Sequence, residues 1–290
     1  MKNKNLYIFA HSYWDSIPVV MGLVHFGYVL CMLMLFTYLP WWVNALTGIF
    51  YAFSIAWNIN SVSHNFIHNA YFKSNILNRF FSFLESITMG FSQTMYDYVH
   101  RQHHIGNNDH IGADGKTVDW ISIYRHGKNN MPEPAFKYAF LSFFRDDPKI
   151  ITQGIRRLNP FLANFAVFEL VSVFILIGGL FLLNWKLGLF YVAFYYLGHS
   201  LSALNGYYEH LGSNPDKPIT WGVSCYNPIY NWLWLNNGYH AEHHYRPKHH
   251  WTQMKSLHQS IQAKQQEEGV KIINWPHVLG FLAKHSNKAG

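Results

Sequence analysis

Four long apolar windows constrain the fold of this chain more than any other feature. The windows are residues 17–39, 41–60, 161–183 and 187–204, with 23, 20, 23 and 18 amino acids. A helix needs about 20 apolar residues to cross a bilayer, and only the third window contains a charged side chain, Glu169. The windows therefore predict four transmembrane helices. Pro40 and residues 184–186 form very short links, so the four spans pair into two helical hairpins.

The basic residues lie almost entirely on one side of the predicted spans. Of the 22 Lys and Arg, only Lys186 falls in a hairpin turn. Lys2 and Lys4 precede the first span, and the others lie in residues 64–159 and 209–290. The positive-inside rule then places both termini and these two segments in the cytoplasm. We predict an all-α membrane protein with a single domain over the whole 290-residue chain, in which the two segments form a cytoplasmic helical cap.

The composition separates a membrane protein from a nucleic-acid-binding one. A net charge of +7 suits either nucleic acid or an anionic membrane surface. Half of the residues are hydrophobic and only 13% are charged, about half the usual charged share of soluble domains. The membrane is therefore favoured, and no nucleic-acid partner is expected. The two cysteines, Cys31 and Cys225, give neither a disulfide framework nor a CxxC metal site.

Histidines recur in three short motifs on the predicted cytoplasmic side. Histidines three and four residues apart on a helix share one face, and imidazole suits Zn, Cu, Fe and Ni. Eight histidines are more than one tetrahedral zinc needs, so the motifs predict two metals held largely by nitrogen. The motifs are HxxxH, HxxHH and HxxHH, and their histidines are His64, His68, His100, His103, His104, His240, His243 and His244.

These boxes, at the cytoplasmic ends of two helical hairpins, resemble the integral-membrane fatty-acid desaturase and hydroxylase superfamily. The resemblance covers about residues 17–250. Asn236 and Asn237 precede the third box and Pro247 follows it, as in acyl desaturases. Asn65 in the first box stands where many relatives have an acidic residue, which leaves the ligands themselves unaffected.

A second stretch is similar to membrane alkane hydroxylases. Residues 207–212 read YYEHLG, which resembles the NYxEHYG signature of those enzymes. Gly206 replaces the asparagine of that signature and Leu211 its second tyrosine. Four spans match acyl desaturases, whereas alkane hydroxylases tend to have more.

The resemblance implies a non-haem di-iron centre, dioxygen as co-substrate and a separate electron-donor protein. It leaves open whether the product is an alkene or an alcohol. The substrate also stays open among fatty acyl chains, membrane lipids, alkanes, sterols, carotenoids and amino-acid-derived compounds. The chain contains neither a cysteine cluster nor a GxGxxG-bearing βαβ unit, so we expect the donor to be a ferredoxin, rubredoxin or cytochrome that docks on the basic cytoplasmic face.

A ninth metal ligand is expected at the end of the fourth span. His199 and His210 are 11 residues apart, close to three helical turns, with a rise of about 16 Å between them. His210 then reaches the level of the boxes, and it occupies the histidine position of the hydroxylase-like signature, so we predict His210 as the ligand. His199 stays deep in the bilayer. Glu209 is expected to contact a ligating histidine rather than the metal. Glu169 fits a functional role or a hydrogen bond to a neighbouring helix.

Two rival functions use the histidines differently. A membrane zinc metalloenzyme would explain one box and leave the other histidines without a role. A metal transporter would place its site near the bilayer midplane between broken helices, whereas the boxes lie outside the apolar windows. Metal content separates these functions, because two irons support the di-iron reading and one zinc contradicts it.

Overall fold

The computed structural model describes residues 8–283, and within them the chain is helical, with isolated bridges but no β-strand. This confirms the all-α prediction. Lys2 and Lys4, which support the predicted orientation, lie outside the described residues, as do both chain termini. The α-helices of this part of the chain are α1 (Ser16–Leu35), α2 (Trp41–Asn58), α3 (His64–His68), α4 (Asn75–Met89), α5 (Gln93–Gly106), α6 (Ala135–Ser142), α7 (Pro148–Leu158), α8 (Pro160–Leu183), α9 (Trp185–His210), α10 (Pro228–Leu233), α11 (His240–Tyr245) and α12 (Met254–Glu267).

The described residues group into two compact units. The first contains residues up to Arg101 together with Ser142–Leu201, and the second contains Gln102–Leu141 and the residues from Ser202 onward. Helices α5 and α9 each begin in the first unit and end in the second. The single domain over the whole chain stays a prediction.

The first unit is built around buried aromatic and aliphatic side chains from its long helices. Its surface is also apolar, since α8 exposes Phe174, Ile175 and Leu182. A bundle whose exposed side chains are this apolar suits lipid rather than water as its surroundings. The core residues are Val29, Met32, Tyr51, Ile55, Ile59, Met89, Leu180, Leu187, Tyr191 and Tyr195.

Three helices are long and apolar enough to cross a membrane: Tyr13–Leu35, Pro160–Leu183 and Trp185–His210. The predicted second span forms the 18-residue helix α2 but is not among them, because Asn44 and Asn58 and several tryptophans lower its hydropathy. Helix α1 ends at Leu35, short of the predicted residue 39, because the chain turns before Pro40 and the residue before a proline disfavours helical dihedrals.

The charged residue of α8 is held by hydrogen bonds to another part of the first unit. Glu169 is buried and accepts from the hydroxyls of Ser82 (2.6 Å) and Ser92 (2.7 Å) and from the backbone N–H of Thr94 (3.0 Å). A buried carboxylate is stable only when such donors satisfy it. Through these hydrogen bonds Glu169 joins helix α8 to residues 82–94 of the same unit.

The second unit is rich in loops and has smaller apolar cores. One contains Ile123, Tyr138 and Tyr207, and another contains Val223 and Tyr230. The loops of this unit carry many polar side chains that hydrogen-bond to backbone groups, which satisfies peptide groups outside regular helices. This arrangement brings residues from distant parts of the sequence around helix α11.

Candidate metal centre

The first histidine box lies on a direct continuation of helix α2. A π-helical segment, Ile59–Ser63, joins α2 to α3, which contains His64 and His68. Single π-helical turns inside helices are rare and are frequent at functional sites. The two imidazole rings lie 5.2 Å apart, centre to centre. The first histidine box is therefore carried on an extension of the second apolar helix.

His100 of helix α5 joins the first box. Its ring centre lies 4.6 Å from that of His64 and 4.9 Å from that of His68. All three residues belong to the first unit. The periodicity of α5 places His104 one turn beyond His100 on the same helix face.

Four buried histidines of the second unit converge on one point. His103 comes from α5, His210 from the end of α9, and His240 and His244 from α11. One ring nitrogen from each lies within 4.8 Å of the others. The Nε2 atom of His210 lies 2.9 Å from that of His103 and 3.0 Å from that of His240. We call these four residues the histidine quartet.

Hydrogen bonds on the outer side fix the ring nitrogens of two quartet members. The Nδ1 atom of His103 donates to Oδ2 of Asp119 (2.6 Å), which is fully buried. The Nδ1 atom of His244 donates to Oδ1 of Asn107 (2.9 Å). In neutral imidazole a protonated Nδ1 leaves a lone pair on Nε2. Both Nε2 lone pairs are therefore available on the inner side of the quartet.

The quartet fits a nitrogen-preferring transition metal. Neighbouring nitrogens on one metal lie about 3.0–3.4 Å apart when the metal–nitrogen bonds are about 2.1 Å, close to the separations that involve His210. Among the described residues, Nε2 of His244 is buried without a hydrogen-bond partner, a costly state unless a cation binds there. Burial and then the neighbouring imidazoles lower the pKa of His244, which keeps its nitrogen unprotonated for a metal.

His104 and His243 form a pair beside the quartet within the second unit. Their Nε2 atoms lie 3.0 Å apart. The ring of His104 also stacks on that of His244, with 4.2 Å between ring centres. We call His64, His68 and His100 of the first unit the trio. All nine histidines predicted as ligands thus lie in the trio, the quartet or this pair. Their role as metal ligands stays a prediction.

The helix that carries the third box is fixed by a carboxylate on its opposite face. Glu242 is fully buried and accepts from the hydroxyls of Ser224 and Tyr226, each at 2.8 Å. Its Oε1 atom also lies 2.6 Å from Nδ1 of His258 on helix α12. The hydrogen bond with Glu242 raises the pKa of His258, and burial and then the carboxylate raise that of Tyr226. These contacts fix α11 against α12.

Glu209 lies behind His240 in a network of amides. Its Oε1 atom accepts from the side-chain amides of Asn205 (2.8 Å) and Asn237 (2.6 Å) and lies 3.7 Å from Nδ1 of His240. His277 lies 3.8 Å from the same oxygen, and burial lowers the pKa of His277 to about 4. Glu209 is therefore close to a predicted ligand, as expected, while its role there stays a prediction.

His199 lies apart from these clusters. Its Nε2 atom is 2.9 Å from the carbonyl oxygen of Met89, and its ring contacts those of Phe143 and Tyr195. The structure thus places His210, and not His199, among the clustered histidines.

The sequence did not predict three features of the site. These are the roles of Asp119 and Asn107 and the contact between Glu242 and His258. Asp119 and Asn107 lie in a Gly-, Asn- and Asp-rich loop that follows helix α5. A loop has no periodicity that would show which side chains point inward. The only signal for Glu242 is its position inside the third box, because a carboxylate between ligating histidines must lie on another face of the helix.

A family model described as "Fatty acid desaturase" matches residues 39–275, most of the chain. The matched range includes all nine histidines of the trio, the quartet and the pair. The comparisons with curated proteins and with solved structures gave no match. The match and the histidine clusters together indicate a membrane enzyme of the desaturase or hydroxylase type that could bind metal.

Proposed function

The chain belongs to the fatty acid desaturase family, and from this premise we propose that it is an oxygen-dependent enzyme that uses two non-haem irons to desaturate a fatty acyl or lipid chain at an unactivated C–H bond. The observation that carries the proposal is the histidine quartet, a buried set of four imidazoles. Ligands of this type suit iron, and their burial keeps water away from the reaction.

We assign the nine predicted ligands to two irons. His103, His210, His240 and His244 hold one iron, because they already form the quartet. The remaining box histidines hold the other. Helical spacing supports that second set, since His64 and His68 are one turn apart, as are His100 and His104. Its members are His64, His68, His100, His104 and His243.

The reaction balances with electrons from outside the chain. When bound, the irons supply the redox chemistry and the dioxygen activation that an unactivated methylene requires. In desaturation, a CH2–CH2 unit, dioxygen, two electrons and two protons give a double bond and two waters. Asp119 and Asn107 hold His103 and His244 in the tautomer that directs the Nε2 lone pair inward, and Glu242 fixes helix α11. We expect the electrons to come from a separate ferredoxin, rubredoxin or cytochrome.

Hydroxylation is the second candidate reaction, and His210 is the observation that favours it. This residue occupies the histidine position of the alkane-hydroxylase-like signature, and it is a member of the quartet. In hydroxylation, one C–H bond, dioxygen, two electrons and two protons give an alcohol and one water. The same ligands and the same donor serve both reactions.

We further propose that α2 is the fourth span, with both termini and the boxes in the cytoplasm. Helix α2 buries Asn44 and Ser54 and exposes Leu46, Phe50 and Phe53. A helix in lipid turns its polar side chains inward and its apolar ones outward. Reporter fusions placed in the turn at residues 184–186 and after the C-terminus should report opposite sides of the membrane.

The first experiment measures metal and product together. The full chain, produced in an iron-supplied host, should purify with two irons, and mass spectrometry of host lipids should show a product with two hydrogens fewer. A product with one extra oxygen would establish the hydroxylase alternative, and a single zinc would refute the proposal. His244→Ala should lose iron and product. The matched control is His110→Ala, because His110 is an exposed histidine of the same unit that stacks on Tyr124.

A further inference from the structure

The last part of the described chain packs against the end of helix α9. We call residues 271–282 the C-terminal segment. The ammonium group of Lys271 donates to the carbonyl of Leu211 (2.7 Å), just beyond α9. Gly280 approaches α9 so closely that a Cβ atom there would clash with the ring of Tyr208. The C-terminal segment is therefore fixed against the end of the helix that carries a quartet member.

His277 connects the C-terminal segment to two other parts of the second unit. Its side chain is fully buried. Its Nε2 atom lies 2.9 Å from the backbone carbonyl oxygen of Val223, so Nε2 carries the proton. Its Nδ1 atom is then the acceptor for the hydroxyl of Tyr230 on helix α10 (3.0 Å). His277 lies beyond residue 275, where the family match ends, so the match gives it no role.

Both connections of His277 lead to Glu209. The backbone N–H of Val223 donates to the carbonyl of Glu209 (2.8 Å). The side-chain amide of Asn237 donates to Oε1 of Glu209 (2.6 Å) and more weakly to the hydroxyl oxygen of Tyr230 (3.4 Å). Because Tyr230 donates its own proton to His277, its oxygen is available to Asn237. His277 thus fixes the hydroxyl of Tyr230. That hydroxyl orients the amide of Asn237, which holds Glu209.

The hydrogen bond between Asn237 and Glu209 joins two elements that carry members of the quartet. Glu209 precedes His210 at the end of α9, and Asn237 lies just before α11, which begins at His240. The Nε2 atoms of His210 and His240 are 3.0 Å apart. A shift of Asn237 against Glu209 would change this separation, and a binding constellation tolerates errors of only about 0.5 Å.

We propose that His277 is a positioning residue of the metal centre, which acts through Tyr230 and Asn237, an inference that rests on the proposed function. It keeps the imidazoles of His210 and His240 at metal-binding distance and is not itself a ligand. The C-terminal segment then contributes to the metal affinity of the quartet as well as to the stability of the second unit.

The test separates the two ring nitrogens of His277 in the full chain. In His277→Gln the amide takes about the position of Nε2, so the bond to Val223 can form while Tyr230 loses its acceptor. In His277→Asn the amide takes about the position of Nδ1, so Tyr230 keeps its acceptor while Val223 loses its donor. Comparing the two variants shows which of the two hydrogen bonds affects the metal centre.

The measurement is Co²⁺ binding to the metal-free proteins in nanodiscs of phosphatidylcholine. Co²⁺ is titrated in the presence of a competing chelator, and the visible absorption of the bound ion reports each binding step. The step that is absent in His244→Ala belongs to the quartet. Thermal unfolding of the metal-free proteins measures stability separately.

His277→Gln should weaken the quartet step about tenfold, at the lower end of the effect of outer partners, and shift the absorption of that step. His277→Asn should keep the affinity within about twofold of wild type, because the acceptor for Tyr230 remains. Tyr230→Phe should weaken the same step as His277→Gln. The double variant should lose no more than either single variant, because both changes remove one hydrogen bond.

Ile273→Ala is the matched structural control. Ile273 is a buried residue of the C-terminal segment and belongs to the apolar cluster of Val223 and Tyr230. Its truncation should lower the melting temperature and leave both Co²⁺ steps unchanged, because it removes packing without removing the acceptor for Tyr230.

Several results would overturn the proposal. Wild-type Co²⁺ affinity in His277→Gln would show that the hydrogen bond to Tyr230 does not affect the quartet. Equal losses of affinity in His277→Gln, His277→Asn and Ile273→Ala would show that the segment only supports the fold. Additive losses in the double variant would show that His277 and Tyr230 act separately. A wild-type chain without a second Co²⁺ step would contradict the proposed function itself, whereas two normal steps that His277→Gln leaves unchanged would contradict this inference alone.

Discussion

Replacing Asp119 with asparagine should weaken metal binding because an amide cannot accept all the hydrogen bonds that this carboxylate accepts. The Oδ2 atom of Asp119 accepts from Nδ1 of His103 (2.6 Å) and from the backbone N–H of Asn108 (2.9 Å). Its Oδ1 atom accepts from the backbone N–H of Ile121 (2.9 Å). Asparagine has one oxygen, so in either orientation its NH2 group faces at least one donor.

The two orientations of the asparagine have different measurable costs. If the NH2 group faces His103, the imidazole must carry its proton on Nε2, the atom directed into the quartet. Loss of such an outer partner weakens metal binding by about 10–100-fold, or about 1.4–2.7 kcal/mol. If the NH2 group faces Ile121 instead, that N–H is left unsatisfied, which lowers the free energy of unfolding by about 1–3 kcal/mol. In the first orientation the NH2 group also faces the backbone N–H of Asn108, so the second orientation, which leaves a single donor unsatisfied, is favoured. His103 then still exchanges a carboxylate for an uncharged amide oxygen, which is a weaker outer partner, so metal binding should weaken in either orientation.

The assay combines chelator competition for Fe²⁺ with thermal unfolding of the metal-free protein. Asp109→Asn is the matched control, since Asp109 accepts from the backbone N–H groups of Val118 (2.7 Å) and Asp119 (3.0 Å) in the same loop. The control should lose stability and keep its metal affinity. Wild-type metal affinity in Asp119→Asn would refute the role of this carboxylate as the outer partner of His103.

Three further predictions follow from other contacts. His210→Ala should lose bound iron, whereas His199→Ala should keep its iron and change the preference among substrates. Iron analysis and product profiles check both variants. The reverse result would contradict the assignment of His210. Glu169→Gln should lower the melting temperature and leave the iron content unchanged, because its contacts hold helices and not metal. The hydrogen bond with Glu242 raises the pKa of His258 above 6.5, so the stability it contributes is complete below pH 6.5 and is lost as the pH rises through the raised pKa. The difference in melting temperature between wild type and His258→Gln should therefore shrink as the pH rises above about 6.5, and a constant difference would show that the pair is not ionic.

Local periodicity explains what could be predicted from the sequence. The box histidines repeat at three- and four-residue spacing, which places them on one helix face wherever that helix lies. His210 was found in the same way, because a depth along a helix follows from counting residues. The long apolar windows predicted the helical class for a similar reason, since a backbone in lipid must satisfy its own hydrogen bonds.

Hydropathy is a less direct guide for helix α2. Its asparagines and tryptophans lower its mean hydropathy. The polar side chains of Asn44 and Ser54 are nevertheless buried, while those of Leu46 and Phe53 are exposed. A sum over a window does not record which face each side chain occupies. Only the packing of the first unit shows that the polar groups of α2 point inward.

The sequence by itself determined the helical class, the boxes and the ligand candidates, because each depends on residues within a few helical turns. Tertiary structure alone decided the partners that complete the site. Asn107 and His244 are 137 residues apart, and Ser82 and Glu169 are 87 apart. No local pattern connects such pairs, since a hydrogen bond depends on how distant segments pack and a loop side chain such as that of Asp119 has no periodic face. The physical consequence is that the sequence specifies which imidazoles can bind metal, while long-range contacts choose the nitrogen that each presents.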